Sequence, residues 1–173
     1  MKCTVIFVIT FFVAVLVTIQ ATAQANDVQI LPNYSMKLSI ETDATKEKIW
    51  QLWKNVTEWK KFDERLEYSY LIEGHSFEKG AIGYVKSKGA PKSQFELIEV
   101  IEGESFIEVL KLPLGQTIHL HRYFEPSESD KTIFTHEVRF KGGLKGVFHF
   151  FLGGPFKKDL KLVMEKMRKI AEQ

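Results

Sequence analysis

The chain has 173 residues, a formal charge of +2 and 13% aromatic side chains. This near-neutral balance provides no overall positive field, which argues against nucleic-acid binding by the whole protein. The single cysteine, Cys3, lies at the N-terminus, so the rest of the sequence excludes a disulfide framework and a cysteine nucleophile.

The first 23 residues have the three-part layout of a secretory leader. Lys2 is their only charge, an apolar run extends from Val5 to Ile19, and Ala21-Thr22-Ala23 offers a small-residue cleavage site. We therefore expect a secreted or periplasmic protein. The alternative is an uncleaved membrane anchor, although the apolar run is shorter than the ~20 residues that a spanning helix needs.

One domain is expected after this leader. Residues 24–34 are interpreted as an N-terminal extension, and residues 35–173 are long enough to bury a real core. Met36, Leu38 and Ile40 alternate with polar residues, which predicts a half-buried first strand.

Two short helices are predicted after this strand. Asp43 or Thr45 can cap the first helix. Its apolar residues recur at helical spacing: Ile49, Leu52, Trp53 and Val56. A second short helix or turn is expected over Glu58–Arg65.

Six further strands are predicted, each of them separated from the next by glycine or proline turns. Their ranges are Leu66–Glu73, Ala81–Lys88, Gln94–Ile101, Ser105–Leu112, Thr117–Glu125 and Lys131–Lys141. The short breaks between them indicate an antiparallel meander.

A long amphipathic helix is predicted at the C-terminal end. Its apolar stripe consists of Phe156, Leu160, Val163, Met167 and Ile170. We expect Gly153-Gly154-Pro155 to break this helix and to act as a hinge after a short apolar segment, because proline has no N–H and clashes with the preceding turn. The basic face predicts a solvated surface or, alternatively, peripheral contact with an anionic membrane.

Two stretches carry a resemblance to a known family. They are SIETDATKEKIWQLWKNVTEWKKF, which begins at Ser39, and HLHRYFEPSESDKTIFTHEVRFKGGLKGVF, which begins at His119. They resemble the START-like (SRPBCC) superfamily, within it the polyketide cyclase/dehydrase and lipid-transport group, over residues 35–172. The resemblance implies an α+β helix-grip fold, in which a curved seven-stranded antiparallel sheet wraps around the C-terminal helix and leaves a cavity. Carriers, cyclases and hydrolases share that cavity, so the pocket itself has to indicate the function.

The last predicted hairpin holds the most suggestive polar residues. If Glu125 pairs with Thr132, one face of the hairpin points into the cavity. That face would hold His119, His121, Tyr123, Phe134, His136 and Val138. A one-residue shift would instead turn Ile118, Leu120 and Phe124 inward. The first arrangement is the leading interpretation.

Candidate catalytic residues follow from that arrangement. His121, His136 and Tyr123 are candidates for a general acid or base. Three imidazoles could also bind zinc. Since no carboxylate is clearly placed to orient them, we predict no metal and no other cofactor.

Further residues are predicted to line the cavity. On the other strands these are Tyr68, Tyr70, Tyr84, Phe95, Leu97 and Glu99, and near the C-terminus Phe148, Phe156, Leu160, Val163 and Met167. Glu99 is singled out among the acids, because a buried carboxylate is costly unless it is paired. For the tyrosines the alternative is ordinary core packing.

The sequence therefore predicts a secreted protein that binds a hydrophobic or amphipathic small molecule, with lipids among the candidates. The alternative is a cyclase- or hydrolase-like enzyme that uses histidine or tyrosine in the cavity. A third hypothesis is a packed domain that binds another protein. No nucleic-acid partner is expected.

Overall fold

The computed structural model describes residues 27–173. The predicted leader lies outside these residues and stays a prediction. In the part of the chain that is described, no helix is both long and apolar enough to cross a membrane.

An eight-stranded antiparallel sheet forms the body of the protein. Its strands are β1 (Gln29–Leu31), β2 (Ser35–Thr42), β3 (Leu66–Leu71), β4 (Ile82–Ser87), β5 (Lys92–Ile101), β6 (Ser105–Lys111), β7 (Thr117–Glu125) and β8 (Thr132–Lys141). Their order across the sheet is β1-β2-β8-β7-β6-β5-β4-β3. Seven of them correspond to the predicted strands. The eighth is β1, which lies in the predicted N-terminal extension and pairs with β2.

Two α-helices cover one face of the sheet, which we call the inner face. Helix α1 spans Lys46–Lys54, and helix α2 spans Lys145–Ala171. A 3₁₀ helix, Val56–Lys61, follows α1 directly. Thr45 caps α1, since its hydroxyl accepts a hydrogen bond from the backbone N–H of Lys48 at 3.4 Å.

Helix α2 is continuous over 27 residues, so the predicted break at Gly153-Gly154-Pro155 is wrong. Pro155 lies on the exposed side of the helix. The i→i−4 hydrogen bond that it removes belongs to the carbonyl group of Phe151, a strongly exposed residue, so water can reach that carbonyl group. Packing on the buried side maintains the helix across this point.

The core lies between the inner face of the sheet and the helices. Its largest fully buried side chains include Trp53, Phe95, Phe106, Phe134, Phe140 and Met164. Trp53 is central, with ring centroids of Phe106 and Phe124 at 5.8 and 4.9 Å. Of the residues predicted to face inward, Phe95, Leu97, Phe134, His136, Val138, Leu160 and Met167 are buried.

Candidate functional site

Strands β7 and β8 pair one residue away from the leading register. Glu125 lies opposite Ile133, and Arg122 lies opposite His136. Because side chains alternate between the two faces, this single step turns every residue of β7 to the opposite face. The alternative register, with Ile118, Leu120 and Phe124 directed inward, is therefore the correct one.

His119, His121 and Tyr123 accordingly lie on the outer face, and the prediction that they line a cavity is wrong. His121 is directly opposite Glu137. The ring centroids of His121 and Tyr123 are 4.5 Å apart. Desolvation lowers the pKa of His119 and of His121, the latter against the opposing charge of Glu137, and it raises the pKa of Tyr123. A shallow depression of about 110 Å³ lies here, lined by Ile107, His119, His121, Glu137, Arg139 and Lys141.

His136 lies on the inner face, away from the other two histidines of the hairpin. The indole N–H of Trp53 donates a hydrogen bond to its Nε2 atom at 3.1 Å. Desolvation, aided by the charge of Arg122, lowers the pKa of His136 well below its usual range. The imidazole is therefore neutral, with its proton on Nδ1, and it does not converge with His119 and His121 on a common ligand.

The three tyrosines predicted to line the cavity also lie on the outer face. Their rings are in contact, with centroids 6.0 Å apart for Tyr68 and Tyr70 and 5.8 Å apart for Tyr70 and Tyr84. The inward position between the first two belongs to Ser69, whose hydroxyl donates to the carbonyl oxygen of Val56 at 2.6 Å. This hydrogen bond joins β3 to the start of the 3₁₀ helix.

Glu99 is exposed, which contradicts the prediction that it shares the inner face with Leu97. The register between β5 and β6 shifts between the pairs Leu97↔Glu108 and Glu99↔Ile107, so Ile98 is an extra residue on β5. Such a bulge reverses the parity of the residues that follow it. The buried acid of these strands is instead Glu108.

Glu108 pairs with Arg122 inside the protein. The two side chains are 4% and 12% exposed, and Nη1 of Arg122 is 2.7 Å from Oε2 of Glu108. The guanidinium carbon lies 5.1 Å from the ring centroid of Trp59 and 5.0 Å from that of Phe106. Both charges have lost water, so this pair stays in place only because each charge has its partner and the cation has two aromatic faces.

A groove opens between α2 and the loop that follows the 3₁₀ helix. Its volume is about 370 Å³. Its apolar walls are Phe62, Leu162 and Val163, and its charged rim consists of Asp63, Glu64, Arg65, Asp159, Glu165, Lys166 and Lys169. Two ion pairs, Arg65–Asp159 and Lys166–Glu64, connect the loop with the helix across the opening.

Asp63 is connected to the buried ion pair through Trp59, because its backbone N–H donates a hydrogen bond to the carbonyl oxygen of Trp59 at 2.9 Å and the ring of Trp59 faces Arg122. Burial raises the pKa of Asp63, although the backbone N–H of Arg65 and the charges of Arg65 and Arg122 act in the opposite direction. The groove and the Glu108–Arg122 pair together form the candidate site.

Sequence reasoning placed only part of this site. Val163 lines the groove, and Leu160 and Met167 are buried on the same helix, while Phe148 and Phe156 are half-buried towards its N-terminal end. Sequence reasoning missed Phe62, Leu162 and the buried Glu108–Arg122 pair, which we call the inner pair. A signal for the pair exists, since Glu108 lies between Phe106 and Leu110 at a spacing of two, and Arg122 lies likewise between Leu120 and Phe124.

Comparison with known proteins defines the fold. No protein-family model matches the sequence, and no curated protein matches it. A protein from Arthrobacter aurescens is 15% identical with a TM-score of 0.62, and the match covers 86% of this chain and 92% of that one. A START superfamily protein from Mycobacterium smegmatis is 11% identical with a TM-score of 0.59, and the match covers 79% of this chain and 97% of that one.

The chain is also similar to the di-domain ARO/CYC StfQ from the steffimycin biosynthetic pathway. The identity is 9% and the TM-score 0.63, and the match covers 80% of this chain and 50% of that one. At such identities the likeness shows the fold alone. The protein has the START-like (SRPBCC) helix-grip fold, as the sequence predicted.

Proposed function

We propose that this protein is exported and that it binds a hydrophobic or amphipathic small molecule, such as a lipid, in the groove beside α2. The observation that carries the proposal is the groove itself, which combines three apolar side chains with a charged rim. In small-molecule sites apolar walls give affinity and polar groups fix the orientation of the ligand, and the seven charged residues of this rim favour an amphipathic ligand over a purely hydrophobic one.

The structure suggests how such a ligand could enter. The ion pairs Arg65–Asp159 and Lys166–Glu64 hold the two walls together. Pairs near the surface contribute only about 0–1 kcal/mol each, so a ligand that separates them pays a small penalty. Met164 and Met167 are buried on the same helix as Val163, and flexible methionine side chains can adapt to an apolar group.

The enzyme hypothesis has less support from the geometry. Its candidates His121 and Tyr123 lie on the outer face, whereas His136 is buried, neutral and bonded to Trp53. These three groups do not face one common space. A binding protein needs no such convergence, and we therefore favour binding over catalysis.

A fluorescence titration with a solvatochromic fatty-acid probe tests the proposal. Val163→Trp fills the groove with an indole ring and should weaken probe binding about tenfold or more. Leu162→Asp, on the exposed part of the same wall, should weaken it without disturbing the core. The matched control is Ile101→Trp on the exposed end of β5, which should bind the probe like the wild type.

Native mass spectrometry of protein recovered from its exported fraction provides a second readout, in which a lipid-like adduct is expected. Two results would overturn the proposal. One is the absence of both adduct and probe binding in the wild type. The other is equal probe binding by the wild type and by folded Val163→Trp and Leu162→Asp variants.

A further inference from the structure

The first turns of α2 carry apolar side chains that face water. Val147, Phe150 and Phe151 are 51%, 79% and 68% exposed. They recur at i, i+3 and i+4, so they share one side of the helix. The rings of Phe150 and Phe151 contact each other edge to face, with centroids 5.2 Å apart.

The turn between β6 and β7 extends this surface. The side chain of Gln116 accepts a hydrogen bond from the backbone N–H of Leu144 at 2.8 Å, which fixes the turn beside the start of α2. Leu114, in the same turn, is 76% exposed, and Leu144 is exposed as well. We call these five residues the apolar patch: Leu114, Leu144, Val147, Phe150 and Phe151.

The two chain segments that carry the apolar patch have charges of one sign only. Residues 111–118 and 141–158 contain no aspartate or glutamate. They contain five lysines, all exposed: Lys111, Lys141, Lys145, Lys157 and Lys158. Acids lie beside some of them, Asp27 near Lys157 and Lys158 and Glu137 near Lys141, but a partner of this surface still meets exposed phenylalanine together with an excess of positive charge.

That combination distinguishes a lipid surface from a protein partner. Protein interfaces are enriched in aromatic residues, phenylalanine included, but they are depleted in lysine, so the lysines carry the distinction. Phenylalanine beside lysine suits a bilayer, because the rings enter the boundary between headgroups and acyl chains while the ammonium groups contact lipid phosphates.

We propose that the apolar patch docks the protein onto an anionic bilayer, with Phe150 and Phe151 inserted and the five lysines at the phosphates. This inference goes beyond the ligand-binding proposal and does not depend on it. It also places the contact at the N-terminal end of α2 and not along the whole basic face of the helix. Leu162 of the groove lies 11 residues beyond Phe151 on α2, which is about 16 Å along the helix axis.

Vesicle flotation tests the docking, with the protein expressed as the full chain and recovered from the exported fraction. The vesicles contain phosphatidylcholine alone or with phosphatidylglycerol. We expect binding to the anionic vesicles, and about a hundredfold weaker partitioning for Phe150→Ser/Phe151→Ser, roughly tenfold for each ring withdrawn from lipid. The control is Tyr68→Ser/Ile101→Ser, which removes two exposed apolar side chains from the sheet and should not change partitioning.

A fluorescent label reports insertion directly, whether or not the leader has been removed. In a Cys3→Ser background, a nitrobenzoxadiazole label on Phe151→Cys should shift to the blue with anionic vesicles, whereas the same label on Tyr68→Cys should not. The proposal fails if the label at position 151 stays in water. It also fails if the Phe150→Ser/Phe151→Ser variant floats with the vesicles like the wild type. The same holds if that variant differs from the wild type only in its oligomeric state, because the apolar patch would then be an interface between copies of the chain. Probe binding in the groove is measured without vesicles, so the two proposals fail independently.

Discussion

The two faces of strand β7 place similar polar residues in very different surroundings. On the inner face, Arg122 is almost completely buried and pairs with Glu108. One residue away on the outer face, His121 and Tyr123 are half-buried, contact each other and remain open to solvent. Strand parity therefore decides which polar group is desolvated, and the residue type alone does not.

On the outer face, several hydrogen bonds stabilise the charge of a partly buried carboxylate, Glu125. Glu125 accepts hydrogen bonds from Ser39 and Thr135 at 3.0 and 2.9 Å, and Lys37 lies at 3.3 Å. Burial acts to raise its pKa, but these donors lower it below its ordinary value. The outer network thus stabilises the charge of Glu125 through several hydrogen bonds, whereas the Glu108–Arg122 pair depends on one ion pair and on two aromatic rings in a nonpolar environment.

Breaking the inner pair should have the largest effect. Glu108→Ala leaves the Arg122 cation buried and without its partner, which should lower the free energy of unfolding by about 3–5 kcal/mol. Urea denaturation measures the loss. Glu108→Leu combined with Arg122→Met removes both charges and should recover most of it, because no unpaired charge remains. A loss below about 1 kcal/mol for Glu108→Ala would show that the pair is not desolvated as described.

His136 provides the next largest effect on the inner face. His136→Phe leaves the buried indole N–H of Trp53 without an acceptor, which should cost about 1–3 kcal/mol near pH 7. His136→Gln is the matched control, since its amide oxygen can accept the same hydrogen bond.

The difference in stability between the wild type and His136→Phe depends on pH because the pKa of His136 is lowered in the folded wild type. In the unfolded chain a histidine takes up a proton near pH 6.5, whereas the folded protein resists protonation at this position. The neutral imidazole therefore contributes fully above pH 6.5. Below it, stability falls by up to about 1.4 kcal/mol per pH unit until the folded-state pKa is reached. The difference between wild type and His136→Phe should shrink between pH 6.5 and 5, and a constant difference would contradict a buried neutral His136.

The sequence predicted the elements well, because alternation and turn chemistry are local. The bounds of β7 agree with the prediction, and β8 begins one residue later than expected. The helical stripe agrees in part, since Leu160 and Met167 are buried, but the fully buried Met164 was outside it. These features depend on the chemistry of neighbouring residues, which the sequence contains.

The sequence could not determine which residues of each strand point to the inner face. Both faces of β7 carry large side chains, so the pattern itself does not choose between Arg122 and His121 for the interior. The loop of residues 126–131 is too long to fix the register of its hairpin. The bulge at Ile98 and the continuity of α2 through Pro155 depend likewise on packing between distant segments. A one-residue uncertainty in each strand was enough to misplace most candidate polar residues.

The smallest effect is expected on the outer face. His121→Ala removes a half-buried ring whose main neighbours are Tyr123 and Glu137, and it leaves no buried group without a partner. The free energy of unfolding should change by no more than about 0.5 kcal/mol, as at other surface positions. Probe binding should also be unchanged, because the groove is on the other side of the sheet. Urea denaturation and the same fluorescence titration measure both quantities. If His121→Ala abolished probe binding while the protein remained folded, the ligand would have to bind on the outer face, and the contrast between the two faces of β7 would be reversed.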